Sequence, residues 1–296
     1  MTINWQGIFP AITTPFTADG AVDHDFLAEH SRWMIAAGCT GIIPLGSLGE
    51  GATLTFAEKR AVLETVVGAV SVPVVAGIAA LSTDDAVALA RMAEAAGCRG
   101  LMVLPPYVYS TDEREMQAHV SAVIAATRLP CMLYNNPPAY RTDYTPPQIV
   151  RLAERHANLA AVKESSGDVR RITALRALAG DRLAIAIGVD DLVVEAVWAG
   201  AVAWVAGLVN AFPRESVALF DLARKGDERA AAIYRWMLPL LRMDTVPKFV
   251  QLIKLCQERV NMGSARVRAP RLPLEGAELA EAEVTIRAAL ERRVAV

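Results

Sequence analysis

Lysine is scarce in this chain: only five of its 30 basic residues are Lys, in 296 residues. With a formal net charge of −2 and no basic run, the sequence offers no footprint for nucleic acid or an anionic membrane. Cysteine is equally sparse. Cys39, Cys98, Cys131 and Cys256 form no C-x-x-C pair, which argues against a disulfide framework, and those lying in apolar runs read as small buried hydrophobes. The four histidines, His24, His30, His119 and His156, lack the i, i+4 spacing of a zinc-binding helix. No apolar run reaches the ~18 residues that a membrane-spanning helix needs. The first residues, Met1-Thr2-Ile3-Asn4-Trp5, do not place a basic region before an apolar one, so a secretory signal is not expected. A globular, cytoplasmic protein in a reducing compartment is the expectation.

What the chain has in quantity is apolar residues, 53% of the total, arranged in an alternating order. Eight short runs read as buried strands: Ile8 to Phe16, Gly41 to Gly46, Val72 to Ile78, Gly100 to Leu104, Pro130 to Asn135, Leu159 to Lys163, Leu183 to Gly188 and Ala201 to Leu208. Amphipathic segments lie between them. Thr55-Phe56-Ala57-Glu58 and Thr145-Pro146-Pro147-Gln148 are capping boxes, and Ser82-Thr83-Asp84-Asp85 is a weaker start signal. Ala36-Ala37-Gly38-Cys39 is echoed by Ala95-Ala96-Gly97-Cys98 about two βα units later, with a glycine at each helix end. Such alternation predicts an α/β fold, a TIM (β/α)8 barrel. Gly46-Ser47-Leu48-Gly49-Glu50-Gly51 does not have the glycine spacing of a dinucleotide-binding open sheet. After Leu208 only helices are expected: Pro213 to Lys225, Glu228 to Met243, Val246 to Val260 and Glu278 to Arg292, with Pro270 to Leu274 as an extended linker. The division expected is a catalytic barrel over residues 1–225 and a C-terminal helical appendage over 226–296.

In such a barrel the C-terminal ends of the strands face the active site. The sixth run ends in Val162-Lys163-Glu164. A lysine on an apolar strand is desolvated, which disfavours its charge and leaves an amine able to attack a carbonyl; equally, position alone allows Lys163 to snorkel out to solvent. The fifth run ends in Tyr134, a phenol that could shuttle protons beside such an amine or simply pack at the mouth. The second ends in Gly46-Ser47-Leu48-Gly49, whose backbone N–H groups and Ser47 hydroxyl could receive a carboxylate. The fourth ends near Tyr107, a second phenol.

Together, Gly46-Ser47-Leu48-Gly49-Glu50, Pro106-Tyr107, Leu133-Tyr134-Asn135, Val162-Lys163-Glu164 and Gly188-Val189-Asp190 resemble the dihydrodipicolinate synthase / N-acetylneuraminate lyase superfamily over nearly the whole chain. The resemblance implies a barrel with extra C-terminal helices, usually assembled as a homotetramer, and a small-molecule 2-oxo or 2-imino acid as substrate. It makes Lys163 the Schiff-base lysine, Tyr134 the acid/base and Ser47 a relay hydroxyl, with Tyr107 in a relay completed across a subunit interface. Leu48, Gly49, Asn136, Ala139, Gly188 and Val205 would bind or line the substrate. No metal or organic cofactor is implied, because the lysine imine is the electron sink.

Two departures bear on the substrate. The synthases of lysine biosynthesis carry Thr-Thr where this chain has Ser47-Leu48, and an arginine where it has Ala139; Arg141 lies close but out of register. Both count against dihydrodipicolinate synthase chemistry. The run from Tyr134 to Tyr140, the run from Lys163 to Arg171, Gly188 to Asp191, Trp204 to Leu208 and Arg268 to Leu274 are more similar to 1-pyrroline-4-hydroxy-2-carboxylate deaminases of hydroxyproline catabolism. Dehydration and deamination of that cyclic imine to 2-oxoglutarate semialdehyde is therefore the expected reaction. The alternatives are another lyase of the superfamily, acting on a 2-keto-3-deoxy sugar acid, a sialic acid or the synthase's own substrates, and a ligand-binding barrel without catalysis.

Overall fold

In the computed structural model, residues 3–108 and 112–296 are described. Among these residues seven parallel strands form one sheet: β1 (Gly7–Pro10), β2 (Val75–Ile78), β3 (Gly100–Val103), β4 (Cys131–Asn135), β5 (Leu159–Glu164), β6 (Ala184–Ile187) and β7 (Ala203–Ala206). The sheet runs β1-β7-β6-β5-β4-β3-β2, so β1 meets the last strand and the sheet curls on itself.

The expected strand at Gly41 to Gly46 is shorter than its apolar run. It survives as two parallel bridges, Ala11 with Ile43 and Ile42 with Val74. Those bridges still close the ring: Ile43 N donates to Pro10 O at 2.8 Å, and Val75 N to Ile42 O at 2.9 Å. Pro44 O still accepts from Gly77 N at 2.9 Å, and the ladder ends there because Pro44 has no N–H to give and Leu45 turns away at φ 65°. The architecture is therefore the eight-fold barrel expected, with its second stave reduced to Ile42 and Ile43.

Helices α1 (His24–Ala36), α2 (Phe56–Ala69), α3 (Thr83–Ala95), α4 (Glu113–Ala125), the single turn α5 (Pro137–Tyr140), α6 (Pro146–Arg155), α7 (Arg170–Ala179), α8 (Val193–Trp198) and α9 (Pro213–Lys225) alternate with the strands. Their starts follow the sequence signals. Thr55 Oγ1 accepts from Glu58 N while Glu58 Oε2 accepts from Thr55 N, and Thr145 N donates to Gln148 Oε1 at 2.8 Å. Gly38, Gly97 and Gly200 follow their helices at φ between 90° and 111°, the left-handed region that reverses the chain into the next strand. Barrel strands are buried on both faces, which is why they read as continuous apolar runs.

After α9 the chain is helical, with α10 (Arg229–Leu241), α11 (Phe249–Arg259) and α12 (Gly276–Glu291). A 3-10 turn over Arg242–Thr245 links α10 to α11 and lies across the barrel mouth. All four cysteines are free and buried. Among the described residues no helix is long and apolar enough to cross a membrane, and no cluster of metal-binding side chains occurs.

Candidate active site

A cavity of about 690 Å³ opens at the C-terminal ends of the strands. That is the size of a small-molecule site. Of the ten residues expected to act or bind there, Ser47, Leu48, Tyr134, Asn136, Ala139, Lys163, Gly188 and Val205 line it. Gly49 and Tyr107 do not. Gly49 lies behind the lining, where its carbonyl accepts from Thr14 Oγ1 at 2.6 Å. Tyr107 stands outside the lining with its ring 5.8 Å from that of Tyr140.

Lys163 and Tyr134 meet because their strands pair in register. The Lys163 ammonium position sits 4.0 Å from the Tyr134 ring centroid. Lys163 is only 6% exposed, so it does not snorkel. Burial pushes its pKa down from 10.5 to about 8, against the pull of the nearby Asp244 and Asp190 carboxylates. The side chain reaches the cavity past Gly188. A methyl group on Gly188 would lie 2.2 Å from Lys163 Cε, so only glycine lets the amine through.

Tyr134 is deeply buried, which raises its phenol pKa; Asn136 Nδ2 donates to its oxygen at 2.9 Å and partly offsets that rise. Ser47 Oγ is hydrogen-bonded to the Tyr140 hydroxyl, and the Tyr140 ring meets Tyr134 edge-on at 5.9 Å. Tyr140 thus stands between Tyr107, Ser47 and Tyr134, a junction that the sequence reading quoted but gave no role. Its signal was the Asn136-Pro137-Pro138 start of α5, which turns Tyr140 back over the mouth.

Three charged groups, Asp244, Arg271 and Asp190, had been given no role from the sequence. Lys163 and Arg271 are the basic side chains among the described lining residues, and Asp244 is the acidic one. Arg271 comes from the segment between α11 and α12. That segment is anchored by Glu50, whose Oε1 accepts from Lys254 Nζ at 2.6 Å and whose Oε2 accepts from Arg268 N at 3.0 Å. Asp190 lies behind the lysine and is fully engaged: it accepts from Trp204 Nε1 at 2.8 Å, Gly207 N at 3.1 Å and Leu208 N at 2.7 Å. Arg141, the near-miss for the synthase arginine, is exposed and outside the lining.

A desolvated lysine beside a phenol in a cavity at the C-terminal mouth of a closed parallel barrel is the arrangement of a barrel enzyme's active site. The particular family follows from comparison. The Dihydrodipicolinate synthetase family matches residues 4–289, and the chain belongs to it. It is 33% identical over 269 residues to the 4-hydroxy-tetrahydrodipicolinate synthase of Agrobacterium fabrum, covering 90% of this chain and 92% of that one. The solved synthase of Methylacidiphilum fumariolicum SolV superposes with a TM-score of 0.93 at 28% identity, over 97% of this chain and 96% of that one. YagE, a prophage protein of the same family from E. coli K12 solved in complex with pyruvate, gives a TM-score of 0.91 at 27% identity, over 97% and 99% of the two chains. The chain is thus an enzyme of the dihydrodipicolinate synthase lyase superfamily.

Proposed function

We propose that this enzyme converts 1-pyrroline-4-hydroxy-2-carboxylate to 2-oxoglutarate semialdehyde and ammonia, through an imine on Lys163. The observation that carries the imine is Lys163 itself, an amine desolvated at the floor of the cavity and touching Tyr134. Lys163 attacks C2 and displaces the ring nitrogen. Its imine acidifies the C3 protons, and loss of one expels the C4 hydroxyl. Tautomerisation and hydrolysis then release ammonia and the semialdehyde. Tyr134, with Ser47 and Tyr140 in hydrogen-bond contact beside it, moves the protons. No metal or organic cofactor enters these steps. The substrate carboxylate sits against the Gly46-to-Leu48 part of the turn, and Arg271 makes the mouth attractive to an anion.

The choice of substrate is supported by two wall residues. Leu48 brings an apolar side chain where the synthases have a hydroxyl, and Ala139 brings a methyl where they have an arginine. A compact ring suits that wall. The synthase reading is the rival, favoured by the names of the relatives. A homotetramer, with Tyr107 at a subunit contact, completes the proposal; the Tyr107 ring, tilted against that of Tyr140 at 5.8 Å, ties it to the proton path.

The deciding assay measures ammonia release from 4-hydroxy-1-pyrroline-2-carboxylate beside pyruvate condensation with aspartate semialdehyde. Turnover in the first is expected, and turnover only in the second would sink the deaminase reading. Failure to trap any 2-oxo acid on Lys163 with borohydride, while one still binds, would leave a binding barrel instead.

A further inference from the structure

Two carboxyl groups act on Lys163, and they are used differently. Asp190 spends its oxygens on Trp204 and the Gly207-Leu208 backbone, so it is a structural brace. Asp244 lines the cavity from the turn between α10 and α11, and its Oδ1 is enclosed yet has no hydrogen-bond partner among the described residues. An enclosed carboxyl oxygen with no partner is costly unless the acid stays protonated or a ligand meets it. Gly207 makes room for it: a Cβ there would lie 2.1 Å from Asp244 Oδ1. The fold therefore holds an acid against the end of β7, on the cavity side, with no structural bond to make.

We propose that Asp244 is the general acid that opens a cyclic imine substrate, protonating its ring nitrogen as Lys163 takes its place, and then pairs with the ammonium it has made. The inference rests on the reading of a cyclic imine as substrate. As the bond from Lys163 Nζ to C2 forms, the C2–N1 bond breaks and its electrons go to nitrogen. The two amine hydrogens of Lys163 and the carboxyl proton of Asp244 end on N1. The products are a lysine imine, an alkylammonium and the Asp244 carboxylate, so charge and atoms balance. Burial, with Asp190 and Asp191 as like-charged neighbours, raises the Asp244 pKa well above the usual carboxylate range, while Lys163 opposes that rise. An acid so placed holds its proton for transfer. The site thereby selects substrates that release an amine, a requirement that an acyclic 2-oxo acid such as pyruvate does not share.

The test uses 1-pyrroline-2-carboxylate, which lacks the hydroxyl and so stops after ring opening. Wild type and Asp244→Asn are each treated with borohydride and either this imine or pyruvate, and the Lys163 adducts are weighed by mass spectrometry. The ratio of cyclic-imine adduct to pyruvate adduct should fall at least ten-fold in Asp244→Asn, and the pyruvate adduct itself reports that the variant has folded. An unchanged ratio overturns the role of Asp244. Wild type that traps pyruvate but never the cyclic imine overturns both this inference and the substrate reading. Wild type that traps the cyclic imine with an Asp244-dependent ratio, yet releases no ammonia from the hydroxylated ring, sinks the deaminase reading and leaves Asp244 as the ring-opening acid.

Discussion

An amine attacks a carbonyl only when it has lost its proton, and the barrel makes that loss easier for Lys163. At pH 7 a lysine of pKa about 8 is neutral in roughly a tenth of molecules, against roughly one in 3,000 for an unperturbed one. Because the folded value is depressed, the neutral fraction rises with pH and levels off above 8. Cyanoborohydride trapping of pyruvate should therefore climb with a midpoint near 8, and a midpoint near 10.5 would show that burial does not activate the amine. At this scale the sequence was partly legible. Lys163 and Tyr134 stand at strand ends, so the apolar runs placed them at the barrel mouth, while the choice between acting and merely packing there came from the resemblance. Ser47 was read from the same strand-end position, whereas Leu48 and Ala139 stood out only as departures from the family's pattern. Asp244 and Arg271 were silent because nothing near them in sequence says which part of the barrel their segments cover.

The glutamate that ends the Gly46-to-Glu50 turn shows how elements distant in the chain are tied to the site. Glu50 and Lys254 form an ion pair with side chains 0% and 2% exposed, 204 residues apart. Lys254 also donates to Arg266 O at 2.7 Å and lies over the Phe16 ring. This knot joins the Ser47 turn to α11 and to the segment that carries Arg271. Cutting one partner leaves a buried charge unpaired, so Glu50→Gln should cost about 3–5 kcal/mol in urea denaturation. The double variant Glu50→Gln with Lys254→Met should recover much of that loss; additive losses would show that the pair is not coupled. The strands themselves were legible from apolar runs, and the helix starts from their caps. The shortened second stave was not, because the run Gly41 to Gly46 is as apolar as the others and only Pro44 and the left-handed Leu45 stop its ladder.

Over the whole molecule, stability is linked to pH through a group remote from the cavity. His30 on α1 is fully buried, with Nε2 2.9 Å from Asn210 O and Nδ1 without a partner among the described residues. The bond to a carbonyl puts the neutral ring's proton on Nε2. A second proton on Nδ1 would have no acceptor, and burial holds the pKa down at about 4 from 6.5. The unfolded chain therefore binds a proton between pH 6.5 and 4 where the native state does not. The contribution of neutral His30 is fully present above 6.5, declines as pH falls through that window, and is gone below about 4. The loss amounts to about 3 kcal/mol. Histidine was read from the sequence only as a surface or core residue, because its cost depends on α1 packing against the loop after β7, a contact 180 residues away in the chain. Comparing urea unfolding at pH 7 and pH 4 for wild type and His30→Asn separates this histidine from the carboxylates that titrate with it. The wild type should lose about 3 kcal/mol more than the variant over that interval. Equal losses would mean that His30 takes up its proton in the native state, and that the packing of α1 on Asn210 gives way before the barrel does.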